Sequence, residues 1–429
     1  MMRQLRLVQA SACLAGFCFG YDTSIIATTL EAVRDEFQLS SALLGLFVSI
    51  ALFGAVVGSI FGGQVADEWG RPNVIFVADI GFVLGALCMA LAPAFPVLLL
   101  GRFLVGLAIG SSAVVVPVFL AELAELASDD TAQVARGSFV GMNVVYITFG
   151  QLVAYVVGFL LYPSWRTVLG SAVLPAIVQA MAFHSVSKRY TAPMDPSPSS
   201  PSSPSSSSSP NREDIVPIWR NALDLWQRRE VRTGIRLHVL QQASGINAVM
   251  YWSPLLVASA WSGTKEAQGE ATTRLVLLAS MIPVAVNCAG SWLSMALVDR
   301  GRRTTLLASL AGSITIMAMT SLAFALDAGG LPVVFMLSAF VAAYSVGLGS
   351  IPWLVSELFA PSIRAQAASL CAAANWTANM LFTQAFAMID PSLAFLLTAI
   401  ASASIGWSLV SNFPEAAGIS LDEASTLLS

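Results

Sequence analysis

Asp67-Glu68-Trp69-Gly70-Arg71 and, about 232 residues later, Asp299-Arg300-Gly301-Arg302-Arg303 are two near-copies of one short charged loop. Each lies between two long uncharged apolar stretches. One such loop would be a surface turn. Two, at matching places, indicate a duplicated helical bundle in a membrane. Such internal repeats are a common way to build a secondary transporter, with a site between the halves and alternating access to it. The correspondence extends further. Glu122 follows the fourth apolar run and Glu357 the tenth; Arg136 begins the fifth and Arg364 the eleventh. These offsets are 235 and 228, close to the first.

The chain is 56% hydrophobic and only 11% charged, with mean hydropathy +0.75. Soluble proteins carry about a quarter charged residues. Twelve long apolar runs read as membrane helices: 5–30, 41–66, 73–93, 97–121, 137–161, 166–186, 237–261, 275–298, 304–326, 332–356, 365–389 and 391–412. About 20 helical residues cross the hydrocarbon core. The expected fold is therefore an all-α membrane protein with twelve transmembrane helices in two pseudo-symmetric six-helix bundles. The first run is too long for a signal peptide and lacks a clear cleavage site.

Lysine and arginine set the orientation. With the N-terminus inside, 16 basic residues fall on the inner side and five (Arg34, Arg102, Arg166, Lys265 and Arg274) on the outer. Both termini are thus expected in the cytosol. The net charge of −4 says nothing about partners, because the rule concerns Lys and Arg alone. Cys13, Cys18, Cys88, Cys288 and Cys371 all lie in apolar runs and read as buried free thiols. No metal spacing, nucleotide loop or nucleophile–base set is visible. No cofactor, enzyme activity or nucleic-acid partner is expected. The triplet Asn375-Trp376-Thr377 falls inside a run and is not expected to carry a glycan.

Four segments follow: a six-helix half at 1–186, a linker at 187–231, a second half at 232–413 and a short cytosolic tail at 414–429. Residues 193–210 are almost pure Ser and Pro, a composition that buries nothing. After them, 214–231 carries Ile215, Ile218, Trp219, Leu223 and Trp226 beside Arg228 and Arg229, the pattern of an interfacial amphipathic helix. The linker reads as a tether between the halves.

Charges at the inner helix ends form two matching sets, Asp67, Arg71, Glu122 and Arg136 on one half and Asp299, Arg300, Glu357 and Arg364 on the other. Ion pairs among them can hold a cytosolic gate shut and then release. Exposed pairs contribute only about 0–1 kcal/mol each, but a switch needs only a few kcal/mol of bias. The plainer reading is charged turns that fix topology. Within the runs, Asp22 and Arg102 both lie roughly 8–12 Å below the outer surface at 1.5 Å per residue, so they can meet. Charges inside membrane spans are functional hypotheses by default. An Arg beside a carboxylate keeps it ionised; with the Arg withdrawn, burial favours the protonated acid. That pair is a candidate for proton coupling, or else a static lock between two helices. Asp79, near the inner end of its run, reads as a member of the cytosolic network. His184 and His238 read as interface residues at inner helix ends. Gly101, Gly106 and Gly110 read as close helix packing.

The seventh run holds Gln241-Gln242-Ala243-Ser244-Gly245-Ile246-Asn247 and then Tyr251 and Pro254. Asn247 and Tyr251 share a helix face, and Gly245 and Pro254 allow the helix to break or bend. Gln151 and Asn287 add further amides. Neutral amides donate and accept together, which suits a polyhydroxylated solute; Trp353 and Trp376 offer flat apolar faces for a sugar ring. Interhelical hydrogen bonds explain the same amides equally well.

Taken together, these residues resemble the sugar porter family of the major facilitator superfamily over nearly the whole chain. Gly20-Tyr21-Asp22-Thr23 is similar to its first-helix motif, Gly62 to Arg71 to its helix 2–3 signature, and Gly101-Arg102 through Glu122 to its helix 4 segment. Arg136-Gly137 and Gly150-Gln151 fit helix 5, and Gln241-Gln242 with Gly245-Ile246-Asn247 is its most specific sugar-site motif. Pro352-Trp353 through Glu357 and Arg364 fits helix 10, and Pro414-Glu415 with Gly418 its C-terminal motif. Gly347 to Trp353, Asn375-Trp376 and Asn379 look like the inositol-transporting branch. The resemblance implies that Gln151, Gln241, Gln242, Asn247, Asn287, Trp353 and Trp376 line a sugar site, and that Asp22 accepts a proton with Arg102 its partner. The family's Pro-Glu-Ser-Pro-Arg motif after helix 6 is missing, which shortens the cytosolic helical region. Ser24 and Ala27 replace glycines, Ser350 replaces a frequent proline, and Ala416-Ala417 replace Thr-Lys.

The expected function is proton-coupled symport of a monosaccharide or polyol, such as a hexose or myo-inositol, by alternating access. A facilitative uniporter and a non-transporting sugar sensor are the alternatives. The expected partners are the solute, the proton and the lipid bilayer, the expected assembly a monomer, and the expected site the plasma membrane, with an organelle membrane as the alternative.

Overall fold

The computed structural model describes residues 2–125, 132–187, 218–261, 270–298, 300–360, 363–410, 413–415 and 427. Its described elements are all helical. The first half contains α1 (Met2–Ile25), α2 (Leu30–Phe37), α3 (Ser41–Trp69), α4 (Arg71–Ala90), α5 (Phe95–Glu125), α6 (Ala132–Leu161), α7 (Trp165–Gly170) and α8 (Val173–Ser187). After α9 (Ile218–Gln227), the second half contains α10 (Arg229–Ala243), α11 (Ile246–Trp261), α12 (Glu270–Val298), α13 (Arg302–Ala325), α14 (Gly330–Ser345), α15 (Ile351–Leu354), α16 (Arg364–Met388) and α17 (Pro391–Val410).

Among the described residues, nine helices are long and apolar enough to cross a bilayer. They answer to runs 1–6, 8, 9 and 12. Run 7 is broken into α10 and α11 at Ser244-Gly245, where Gly245 takes φ +75, a backbone region that costs other residues a steric penalty. Run 10 is broken into α14 and α15 across residues 346–350. Run 11 is the unbroken α16, but Asn375, Asn379, Thr383 and Gln384 lower its hydropathy. The three spans outside these nine, two of them broken and one polar, are thus those that carry most of the polar residues of interest.

Within the first half, α3 and α5 pack closely: a methyl group on Gly106 or Gly110 would strike the backbone of Ala51 or Ala55. Such small-residue contacts let membrane helices approach. Between the halves, α16 runs antiparallel along α3. Gly45 faces Gln384 at one end and Gly63 faces Ser369 at the other. α12 runs along α6 in the same way, with Gly141 against Met295 and Gln151 against Asn287. Outward-facing apolar side chains such as Leu100, Leu174, Phe335 and Trp407 form the surface a bilayer covers.

The Asp67 loop is closed by Arg71, whose guanidinium donates to Asp67 at 2.5 Å and to the Ala66 carbonyl at 3.0 Å. Its counterpart is tied differently. Glu415 accepts from the backbone N–H of Arg302 at 2.8 Å and of Arg303 at 3.0 Å, which fills two donors orphaned at the start of α13. At the opposite end, Glu36 accepts from the Trp165 indole at 2.6 Å and pairs with Arg166 at 2.8 Å. The hydrogen bond from Arg166, and then that from Trp165, hold the Glu36 carboxyl below its ordinary value. The Ser/Pro stretch 193–210, Asp299 and residues 416–426 lie outside the described residues, as do the side chains of Glu122, Arg136 and Glu357. In α9, Leu225 is buried while Leu223 and Trp226 are exposed.

Candidate functional site

The break in run 7 presents the ends of α10 and α11 to α16 near the middle of the second half. Asn375 on α16 sits at the hub. Its amide donates to Gln241 Oε1 at 2.8 Å and to the His238 carbonyl at 3.2 Å, and its Oδ1 accepts from Gln242 at 3.0 Å. Gln242 Oε1 in turn accepts from Asn247 at 2.8 Å. Gln241 Nε2 reaches the Leu348 carbonyl at 2.9 Å, a group freed by the break in run 10. Irregular backbone of this kind is tolerated in a membrane only where it is buried in protein or lines a cavity. In the sequence Asn375 stood out only in an unused glycan triplet and in the resemblance to the inositol-transporting branch; its place on α16, facing the Gln pair, is what makes it central.

Gln151 lies on the facing half. Its Oε1 accepts from Asn287 at 2.9 Å, a direct bond between α6 and α12. Further bonds join the halves nearer the end away from the arginine-rich loops. Ser49 donates to Gln384 at 3.0 Å, and the Tyr155 hydroxyl donates to the Met250 carbonyl at 2.9 Å. The second has a specific cause. Pro254 lies inside α11 and has no N–H, so the carbonyl four residues earlier, that of Met250, loses its helical donor. Tyr155, from the other half, supplies one.

Trp376 is buried, and Phe19 from α1 meets it edge-on with ring centroids 5.4 Å apart. Its indole Nε1 has no hydrogen-bond partner, nor has Nδ2 of the neighbouring Asn379. Trp353 lies on α15, where the buried His238 ring packs against it at 5.2 Å. His238, expected at a helix end, therefore buttresses the site.

Asp22 and Arg102 are both buried inside the first half, at 1% exposure each. No ion pair joins them among the described residues. Arg102 instead donates to the Phe47 and Val48 carbonyls of α3, at 3.3 and 3.4 Å. One Asp22 oxygen and one Arg102 terminal nitrogen are buried without partners. Asp79 departs from its expected place in the cytosolic network. It is buried within α4, and neither of its carboxylate oxygens has a partner. The chain continues past the Arg71 loop for two turns before reaching it, which carries Asp79 below the charged rim. Of the gate residues, Asp67 and Arg71 are paired, Arg364 donates to the Phe359 carbonyl and Arg300 is exposed.

A family model described as "Sugar (and other) transporter" matches residues 8–428. Myo-inositol transporter 1 of Cryptococcus neoformans var. grubii is 30% identical over 471 residues, covering 97% of this chain and 80% of that protein. The probable inositol transporter 3 of Arabidopsis thaliana is 27% identical over 547 residues, covering 97% and 91%. Among solved structures, the proton:xylose symporter XylE bound to 6-bromo-6-deoxy-D-glucose superimposes with a TM-score of 0.78 at 23% identity, covering all of both chains.

Proposed function

The chain belongs to the sugar transporter family, a family of multi-pass membrane carriers rather than enzymes, and we propose that it moves a monosaccharide or polyol by alternating access, together with a proton. The observation that carries this reading is the buried amide network of Gln241, Gln242, Asn247 and Asn375 on the broken spans, faced by Gln151 across the interface. Every member is neutral and both donates and accepts, so it can exchange its internal bonds for those of a hydroxylated solute at little cost. No charge is offered, which disfavours ionic solutes. Trp353 and Trp376 supply apolar faces for ring C–H groups. Inositol transporters among the relatives support a cyclic polyol beside a hexose as substrate.

Coupling is assigned to Asp22 with Arg102. With Arg102 turned to the α3 carbonyls, Asp22 has no counter-charge in contact, the arrangement in which a buried carboxyl group holds its proton. When Arg102 returns, the ion pair reforms and the proton leaves. The arginine-rich end is taken as cytosolic. Solute and proton enter from the opposite side, the bonds from Tyr155 and Ser49 close behind them, and the charged sets around Arg71 and Arg364 part to release them. The 187–231 segment tethers the two halves as they rock.

Uptake of labelled myo-inositol and glucose into transporter-null cells, with and without a protonophore, tests this. Uptake that collapses with the protonophore, at unchanged viability, is expected. Uptake that persists but only equilibrates would overturn the coupling. No uptake of either solute would overturn the substrate class.

A further inference from the structure

Asp79 is a second carboxyl group inside the first half, and the coupling scheme above makes no use of it. It lies about 12 Å along α4 from Arg71, at 1.5 Å per residue. It is 1% exposed, and neither of its oxygens has a hydrogen-bond partner. An unpartnered amide or hydroxyl is a modest penalty. An ionised carboxylate without donors is a prohibitive one, and such a group takes up a proton instead. Its capacity for charge, not the missing bond alone, therefore sets Asp79 apart from the other unpartnered groups. Ionisable residues in a span mark proton pathways. Gln179 stands opposite on α8. α4 and α8 run antiparallel, with the Phe76 ring against His184 at 5.6 Å and Gly170 facing Ala90. That register puts Gln179 level with Asp79. Gln179 is fully buried, and both ends of its amide are unpartnered.

α1 links this pair to Asp22. Cys18 lies one helical turn, about 6 Å, nearer the arginine-rich end than Asp22, and the charges of Asp22 and Asp79 both act on it. Other titratable or charged groups on the packed helices are Cys13 on α1, Arg102 on α5 and His184 on α8, with Asp67 of α3 and Arg166 of α7 at opposite ends of the bundle. None bonds to Asp79; Arg102 is turned to α3 and His184 is exposed. We propose that Asp79 is a proton relay between Asp22 and the arginine-rich side, with Gln179 solvating it in both protonation states. After a side-chain rotation, Gln179 Oε1 accepts from the acid and Nε2 donates to the carboxylate. Asp79 first gives its proton to water on the arginine-rich side. As Arg102 returns to Asp22, the O–H bond of Asp22 breaks. Through water between the two sites, an O–H bond forms on the vacated Asp79 carboxylate. One proton crosses per cycle, and Asp79 ends as it began. The relay rests on the coupling reading above.

The test uses the full-length protein in liposomes, with labelled myo-inositol and, in parallel, labelled glucose. Net uptake driven by a pH gradient requires release of the proton in every cycle. Counterflow against unlabelled solute at equal acidic pH does not, since the loaded, protonated carrier shuttles. Asp79→Asn keeps the size of the neutral acid and its capacity to donate and accept. A positioned proton carrier contributes about 10²–10⁴-fold to proton transfer, so Asp79→Asn is expected to cut the rate of net uptake about tenfold or more and leave counterflow in place. The final accumulation ratio is retained, because Asp22 still carries the proton; this separates the variant from Asp22→Asn. Asp79→Glu restores the rate. Gln179→Leu, which leaves Asp79 in place, gives a smaller loss of the same kind and serves where Asp79→Asn expresses poorly. An unchanged rate of net uptake in Asp79→Asn overturns the relay and leaves Asp79 a silent neutral acid. Equal loss of net uptake and counterflow also overturns it, as damage to packing. Wild-type protein that shows counterflow but no response to the pH gradient overturns the coupling reading and the relay with it.

Discussion

Asp22 is a carboxyl group held in a membrane core without a bonded cation, a placement that costs several kcal/mol unless it is used or neutralised. Asp22→Asn keeps the size and removes the ionisation. Accumulation of solute against its gradient is expected to be lost while equilibrative exchange survives; concentrative uptake by the variant would remove Asp22 from the coupling step. Glu36 offers a separate test outside the membrane. Its folded-state carboxyl lies below the ordinary value of 4.5, so its contribution to stability is present above that value and is lost as pH falls through the lower folded one. Glu36→Gln should therefore lower the melting temperature of the purified protein at neutral pH, and the difference from wild type should close in acid. A difference constant across pH would rule out the ion pair with Arg166 as its source. Asp22, Arg102 and most of the amides were legible because such groups are anomalies in apolar runs. The central place of Asn375 was not, because a single amide on a span is usually an interhelical bond. Only the partners around Asn375 set it apart.

Among the elements, local departures from helix-forming pattern coincide with the site. Runs 7 and 10 break where Gly245 and residues 346–350 interrupt them, and α16 is polar. Gly245 and Pro254 signalled the first break in the sequence. The second lies at Gly347, Gly349 and Pro352, a signal of the same kind inside an apolar run, and tertiary packing holds it: Ser309 of α13 donates to the Ala343 carbonyl and accepts from the Leu348 N–H, bonding across the break. The Tyr155 bond shows how a break serves motion. It satisfies a carbonyl that Pro254 leaves open, but only while the halves are closed at that end. Tyr155→Phe leaves that acceptor unmet in this conformation and favours opening. A membrane-impermeant maleimide added outside should then modify Ser49→Cys, which is buried between α3 and α16, about fivefold faster or more, the factor for roughly 1 kcal/mol. An unchanged rate would show that the bond does not hold that end shut.

At the scale of the molecule, the duplicated Asp67 and Asp299 loops announced two halves, and α16 against α3 with α12 against α6 is the interface between them. What the pattern of runs could not convey is the conformation, bonded across at the end away from the arginine-rich loops by Ser49 and Tyr155. That closure depends on which contacts between the halves are made at once, and hydropathy does not encode it. The central claim is that solute and proton cross together. Its most direct test uses the purified protein in liposomes, with equal labelled myo-inositol or glucose on both sides and an inside-alkaline pH gradient imposed. Coupled movement predicts accumulation inside, up to about tenfold per pH unit for one proton per solute, and its collapse when the gradient is dissipated. Solute that stays at its external concentration while the gradient stands would contradict it.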